Sequence, residues 1–185
     1  MPTTMKASLL LLSSILSFAQ AQNAAEYADS VCSPNVTASA GSTLPPCISI
    51  TNIQTQCAPN GTQPIDYLAH AECMCNAPST FFADWQGCRN CLFVHGVLSK
   101  PAIDRYSNVI SSVSAALCSG TPTTDFAAIF KSVDGSVAQA TSGVMSDQYP
   151  SQTAVSLYYT ATSAQGPGAI TGKWNSDYLI VGRRL

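Results

Sequence analysis

Charge is scarce in this chain. Of its 185 residues only 10% are Asp, Glu, Lys or Arg, eight basic against ten acidic, and neither sign gathers in any segment. That excludes the basic stripe that holds nucleic acid and the polybasic patch that holds an anionic membrane surface. Long apolar runs are missing as well: residues 9–18 are interrupted by serines and fall short of the roughly 20 residues needed to span a bilayer. No Gly-x-Ser-x-Gly, His-Glu-x-x-His or phosphate-cradling glycine loop occurs, and Asp66, Glu72, Asp84, Asp104 and Asp125 stand singly. No catalytic residues are assigned, and the chain is expected not to be an enzyme.

Cysteine is absent from residue 119 onward, whereas eight cysteines lie between Cys32 and Cys118. Ahead of them Lys6, the apolar run and Ala19-Gln20-Ala21 have the make-up of an export signal, which predicts a mature chain beginning at Gln22. Loss of Lys6 leaves seven basic against ten acidic side chains. The closing Tyr178-Leu179-Ile180-Val181, followed by Gly182, Arg183 and Arg184, is too short for a lipid-anchor signal. The expectation is a secreted, extracellular protein without a membrane span. An even cysteine count in an oxidising compartment predicts that Cys32, Cys47, Cys57, Cys73, Cys75, Cys88, Cys91 and Cys118 are all disulfide-bonded. Two sequons, Asn35-Val36-Thr37 and Asn60-Gly61-Thr62, lie in turn-rich stretches and make Asn35 and Asn60 the expected glycosylation sites.

The chain divides into three organisational units: a signal peptide over 1–21, a cysteine-rich helical domain over 22–133, and a Ser/Thr/Gly-rich tail over 134–185. Up to Pro46 the chain has no sustained periodicity and reads as a lead-in held at Cys32. Cys47, Ile50, Ile53 and Cys57 then recur at helical spacing behind Pro45-Pro46. Pro64 opens a second helix carrying Ile65, Leu68, Ala69 and Glu72 into Cys73-Met74-Cys75. Ser79 is the expected N-cap of a third, with Phe82, Trp85, Cys88, Arg89 and Leu92 on its period and His95-Gly96 at its end. Ile103, Tyr106, Ile110, Val113 and Leu117 draw the apolar stripe of a fourth, and Phe126, Ile129, Phe130 and Val133 a short fifth that stops at Asp134-Gly135. In the tail, residues 153–162 alternate Val155, Leu157, Tyr159 and Ala161 with polar neighbours, the period of a half-buried strand, and Ile170, Trp174 and Tyr178 suggest a second extended piece. The fold class expected is all-α: a small disulfide-stapled domain of four to five short helices with an irregular, weakly β C-terminal tail.

Eight thiols admit about a hundred complete pairings, and spacing does not choose among them. Cys73 and Cys75 are too close to face each other and are expected to reach two different elements. Cys88 and Cys91 lie one helical turn apart and are expected to tie their helix to the segments before and after it. A redox Cys-x-x-Cys wants a βαβ setting that this helix does not offer, and a zinc site using His70 or His95 conflicts with export. No metal ligand or cofactor is therefore assigned, and both histidines are read as helix-surface or helix-end residues.

The signal, the doublets Cys73-Met74-Cys75 and Cys88-Arg89-Asn90-Cys91, the late Cys118 and the tail's Ser156-Leu157-Tyr158-Tyr159 and Gln165-Gly166-Pro167-Gly168 together resemble fungal small secreted cysteine-rich proteins of the effector type. That resemblance implies a non-enzymatic protein acting in the extracellular space, the cell wall or at a host surface, on an unidentified protein, glycan or wall partner. Cys47, nine residues, Cys57 and then Cys73-x-Cys75 are similar to part of the CFEM domain, a helical fungal module on eight cysteines. Its first cysteine interval and the stretches before Cys73 and after Cys91 are longer here. Some CFEM members bind haem through an aspartate, which this partial likeness places at Asp84 beside Phe81, Phe82 and Trp85; read from its own helix, Asp84 is expected to be an exposed helix residue. A carrier of haem, lipid or another small apolar ligand is the alternative function. The adjacent Cys-Cys pairs of hydrophobins and plant-type lipid-transfer proteins are absent.

Overall fold

Three prolines start helices in this protein, since a fixed φ suits a first turn whose N–H groups have no intrahelical partner. The computed structural model describes residues 26–36 and 43–172. Among them six helices succeed one another: α1 (26–32), α2 (Pro46–Gln56), α3 (Pro64–Cys75), α4 (Phe81–Val94), α5 (Lys100–Cys118) and α6 (Phe126–Ser136), then a single 3-10 turn at Val155–Leu157. The described residues form no sheet, only one antiparallel bridge between His95 and Asp147. The class is all-α, as the periodicity indicates. The expected export signal and the Trp174 and Tyr178 region lie outside the described residues.

Local signals account for the boundaries. In α3 the Gln63 N–H donates to Asp66 at 2.9 Å, closing a capping box ahead of Pro64. Ser99 caps α5 through the Ala102 N–H, and Asp125 caps α6 through Ala128 at 2.8 Å. The N-cap of α4 is Thr80 rather than Ser79, whose hydroxyl donates instead to the Met74 carbonyl at 2.7 Å. Helix α6 does not stop at Asp134-Gly135 but runs to Ser136, because the Arg105 guanidinium collects its last carbonyls, donating to Asp134 O at 2.7 Å and Val137 O at 3.3 Å. Helix α1 is hidden in the lead-in: two turns are too few for a period to register, although Ala28, Val31 and Cys32 are all buried.

Two apolar clusters fill the interior. The larger joins Ile53 of α2, Met74 of α3, Phe81 and Trp85 of α4, the α5 stripe Val109, Ile110, Val113 and Leu117, and Phe126 of α6. Phe81 meets Phe126 edge to face with centroids 4.9 Å apart. The second gathers Val31 and Cys32 of α1, Cys47, Cys88, Cys91 and Val94 with Tyr158 from far along the chain. Helix α4 belongs to both, and its exposed residues are confined to one stripe, Ala83, Gln86 and Asn90.

All eight cysteines are bridged: Cys32–Cys91, Cys47–Cys88, Cys57–Cys73 and Cys75–Cys118. Cys73 and Cys75 do reach different elements, the end of α2 and the end of α5. Cys88 and Cys91, however, both reach backward, to α2 and α1, and neither ties α4 to a later element. They share the face of α4 turned toward those two helices, and the later α5 is held by the apolar stripe and by Cys75 instead.

The stretch 153–162 is not a strand. Without a neighbouring strand to take its backbone groups, it satisfies them on itself: Leu157 N–H donates to Ala154 O at 3.1 Å and Tyr159 N–H to Val155 O at 2.9 Å. From 147 to 172 the chain runs as an irregular strap over α4 and α3. Its Gln148 N–H donates to Val94 O at 2.7 Å and its Gly168 N–H to Cys73 O at 2.6 Å.

Candidate functional surface

Asp84 is wholly buried, not an exposed helix residue. Four donors converge on its carboxylate: the Ser49 hydroxyl of α2 at 2.6 Å, the Thr80 hydroxyl at 2.7 Å, the Gln165 amide of the strap at 3.1 Å and the hydroxyl of Tyr159. A charge removed from water is tolerated when its lone pairs are filled in this way, and its place in the first turn of α4 adds the favourable end of the helix dipole. Burial, with the Asp84 contact behind it, pushes the Tyr159 phenol well above its ordinary pKa. The Tyr159 ring lies on Gly87, where an added Cβ would come within 2.4 Å of the ring. Only glycine leaves room for that contact.

Glu72 does for the end of the strap what Asp84 does for its middle. It is buried and accepts from the Thr171 N–H at 2.7 Å, the Thr171 hydroxyl at 2.9 Å and the Gly172 N–H at 3.1 Å. The two carboxylates are anchors: Asp84 adds a polar tie to a stretch that also packs through Tyr158 and Tyr159, and Glu72 holds the end of the strap at Thr171 and Gly172. Neither retains a free edge for a substrate.

The histidines are interior residues rather than surface ones. His70 accepts the Phe126 N–H on Nε2 at 2.9 Å and faces the Cys57 carbonyl with Nδ1 at 2.6 Å. Only the neutral tautomer with its proton on Nδ1 satisfies both, so His70 acts as a surrogate cap for the first N–H of α6 and a tie to the end of α2. His95 ends α4 and approaches Asp147 at 3.3 Å. Among the described residues no three His, Cys, Asp or Glu side chains come together as metal ligands.

The aromatic side chains beside Asp84 belong to the core. Phe81 is fully buried and Trp85 nearly so, inside the larger cluster, with Phe82 packed against it. Arg89 lies over Trp85 at 4.7 Å and over Tyr106 at 4.8 Å, closing the outside of that wall, and burial lowers its pKa. Asp84 cannot ligate haem iron while four donors occupy it. Two clefts among the described residues hold about 90 Å³, beside Pro59, Asn60 and His70, and about 40 Å³, between Glu72 and Leu117. A site for a drug-sized ligand is roughly 300–1,000 Å³.

What remains open to a partner is surface. Asn35 and Asn60 are both exposed, as a glycan acceptor must be. Residues 138–146 run without a turn, a bend or a strand partner between α6 and the strap, and carry Val144, 88% exposed, and Met145, 60% exposed. This segment is braced rather than free. Arg105, itself buried, donates to the Ala138 carbonyl at 3.0 Å and to the Asp134 carboxylate at 2.6 Å. Gly143 sits so close to α5 that an added Cβ would meet Ser99 Cβ and Pro101 Cδ at 2.9 Å. Beyond it come the Asp147–His95 bridge and the Gln148 bond to Val94. By composition this segment merges into the Ser/Thr/Gly tail, and its one sequence signal is an isolated apolar pair among small polar residues. Among the described residues, no helix is long and apolar enough to cross a membrane. Comparison of the chain with protein-family models, with curated proteins and with solved structures finds no match.

Proposed function

We propose that this is a secreted, non-enzymatic protein that works by surface contact in the extracellular space, at a cell wall or at a host surface, in the manner of the fungal small secreted cysteine-rich proteins it resembles. The observation that carries the reading is that every cysteine is paired, in four bridges that persist only in oxidising surroundings. Support also comes from the interior: the side chains of Asp84, Glu72, Arg105 and His70 are engaged in holding the fold, and neither of the two clefts described offers room for an apolar cargo. Among the described residues the surface offers Asn35 and Asn60, both exposed, and the exposed apolar pair Val144 and Met145.

Expression of the full chain in a secreting host tests this. The protein should accumulate in the culture fluid beginning at Gln22, without an alkylatable thiol, with glycan on Asn60 and Asn35, and should bind saturably to wall polysaccharide or host-cell surface. Retention inside the cell, free thiols, or turnover of a hydrolase substrate that copurifies with the protein would overturn it.

A further inference from the structure

Endopeptidases and strand-adding domains take their ligands as extended chain, through backbone hydrogen bonds, with pockets for alternate side chains. Residues 138–146 offer such a chain already extended. Among the described residues none of their N–H groups donates to another backbone group, Arg105 takes the Ala138 carbonyl, and backbone pairing with α4 comes only at the outgoing end, at the bridge of Asp147 to His95. Neighbouring side chains of an extended chain point opposite ways, and Val144 and Met145 are both exposed, so the backbone stands clear on two sides. A sheet edge would use one of those sides, whereas a cleft that wraps the chain uses both. Small residues flank the pair, Thr141, Ser142 and Gly143 before it and Ser146 after it, and do not obstruct a narrow cleft.

Resting on the surface-acting reading above, we propose that residues 138–146 are an inhibitory segment for an extracellular endopeptidase with an apolar primary pocket, Met145 filling that pocket and Val144 the site before it. The braces supply what distinguishes an inhibitor from a substrate. Arg105 holds the incoming end, Gly143 lies against Ser99 and Pro101, and Asp147 with Gln148 holds the outgoing end to α4. Little conformational freedom is left to lose on binding, so affinity rises, and the fixed geometry resists the distortion that cutting requires. Met, unbranched and adaptable, suits an apolar pocket, and the β-branched Val144 stiffens the chain beside it.

The full secreted chain should be titrated into chymotrypsin and subtilisin, with trypsin, whose pocket is acidic, as the contrast. Saturable inhibition of the first two with the chain recovered intact is expected, and much weaker inhibition of trypsin. Met145→Asp should raise the inhibition constant roughly 30-fold or more, as loss of a central anchor does, and Val144→Asp should weaken it through the neighbouring site. Ile170→Asp, at an exposed apolar position outside the segment, should leave it unchanged. Repeated cutting within 138–147, no inhibition of any of the three, or inhibition indifferent to both aspartates would overturn the inference. If that happens while the protein stays thiol-free and surface-binding, the proposed function stands; free thiols or hydrolase turnover would remove both.

Discussion

Tyr159 and Asp84, 75 residues apart in the chain, share a hydrogen bond inside the protein and so join the strap to α4. The carboxylate has three other donors, and the phenol ring keeps its seat on Gly87 whether or not the hydroxyl is present. Tyr159→Phe therefore removes one charge-assisted bond and little packing, and should lower stability by about 1.5–3 kcal/mol. Asp84→Ala strands all four donors and should lose more, about 3 kcal/mol or above. Urea unfolding of the two variants checks the order, and a smaller loss for Asp84→Ala would show that the carboxylate is not the anchor.

Alkaline pH should loosen the same contact. Burial and the Asp84 bond raise the Tyr159 pKa, and burial raises that of Tyr158. A raised folded-state value means that the native protein holds the phenolic proton more tightly than the unfolded chain does. Their contribution is complete below about pH 10, the ordinary phenol value, and fades as the pH climbs through the folded values. The thermal midpoint should fall above that pH, and fall less in Tyr159→Phe. An equal fall in both proteins would assign the effect elsewhere.

The bridges differ in reach. Cys32–Cys91 spans 59 positions and Cys57–Cys73 only 16, so the longer loop restrains the unfolded chain more. Replacing each pair by alanine should cost about 2–4 kcal/mol, with the Cys32–Cys91 variant the weaker by about 1 kcal/mol. Denaturant midpoints of the two variants measure this directly. Equal losses would mean that native-state packing around the sulfurs, not loop closure, sets the value.

Gly168 passes so close to α3 that an added Cβ would stand 2.2 Å from the Asn76 carbonyl oxygen and 2.9 Å from that of Glu72. Gly168→Ala should lift the end of the strap while leaving the helices intact. Far-UV circular dichroism should stay at the wild-type value, while hydrogen exchange at 165–172 quickens. Unchanged protection there would show that the strap tolerates the displacement.

Much of the helical part is legible in the sequence because its signals are local. The α5 stripe from Ile103 to Leu117 advances by three and four residues and is buried at every step except the half-buried Tyr106. Pro46 and Pro64 sit in the first helical turns, where proline is expected. What escapes depends on distance. Nothing near Asp84 in the chain announces Tyr159 or Gln165, and nothing near His70 announces Phe126, so a buried aspartate and a capping histidine read as surface residues. The alternation of 153–162 is real, but a period of two only makes a strand when another strand lies alongside. Val144 and Met145 escape for the opposite reason: they have no partner in the fold, and a pattern search looks for partners.

None of the four sulfur links reaches past Cys118, so α6, residues 138–146 and the strap are held to the rest by one continuous backbone and by weak forces. One break in that backbone between α6 and Asp147 would make two molecules of this protein, a cross-linked piece and a cysteine-free piece seated on it through Glu72, Asp84 and Tyr158. Their union would then obey mass action: intact in appearance when concentrated, dissociating on dilution, and restorable by adding the missing fragment back.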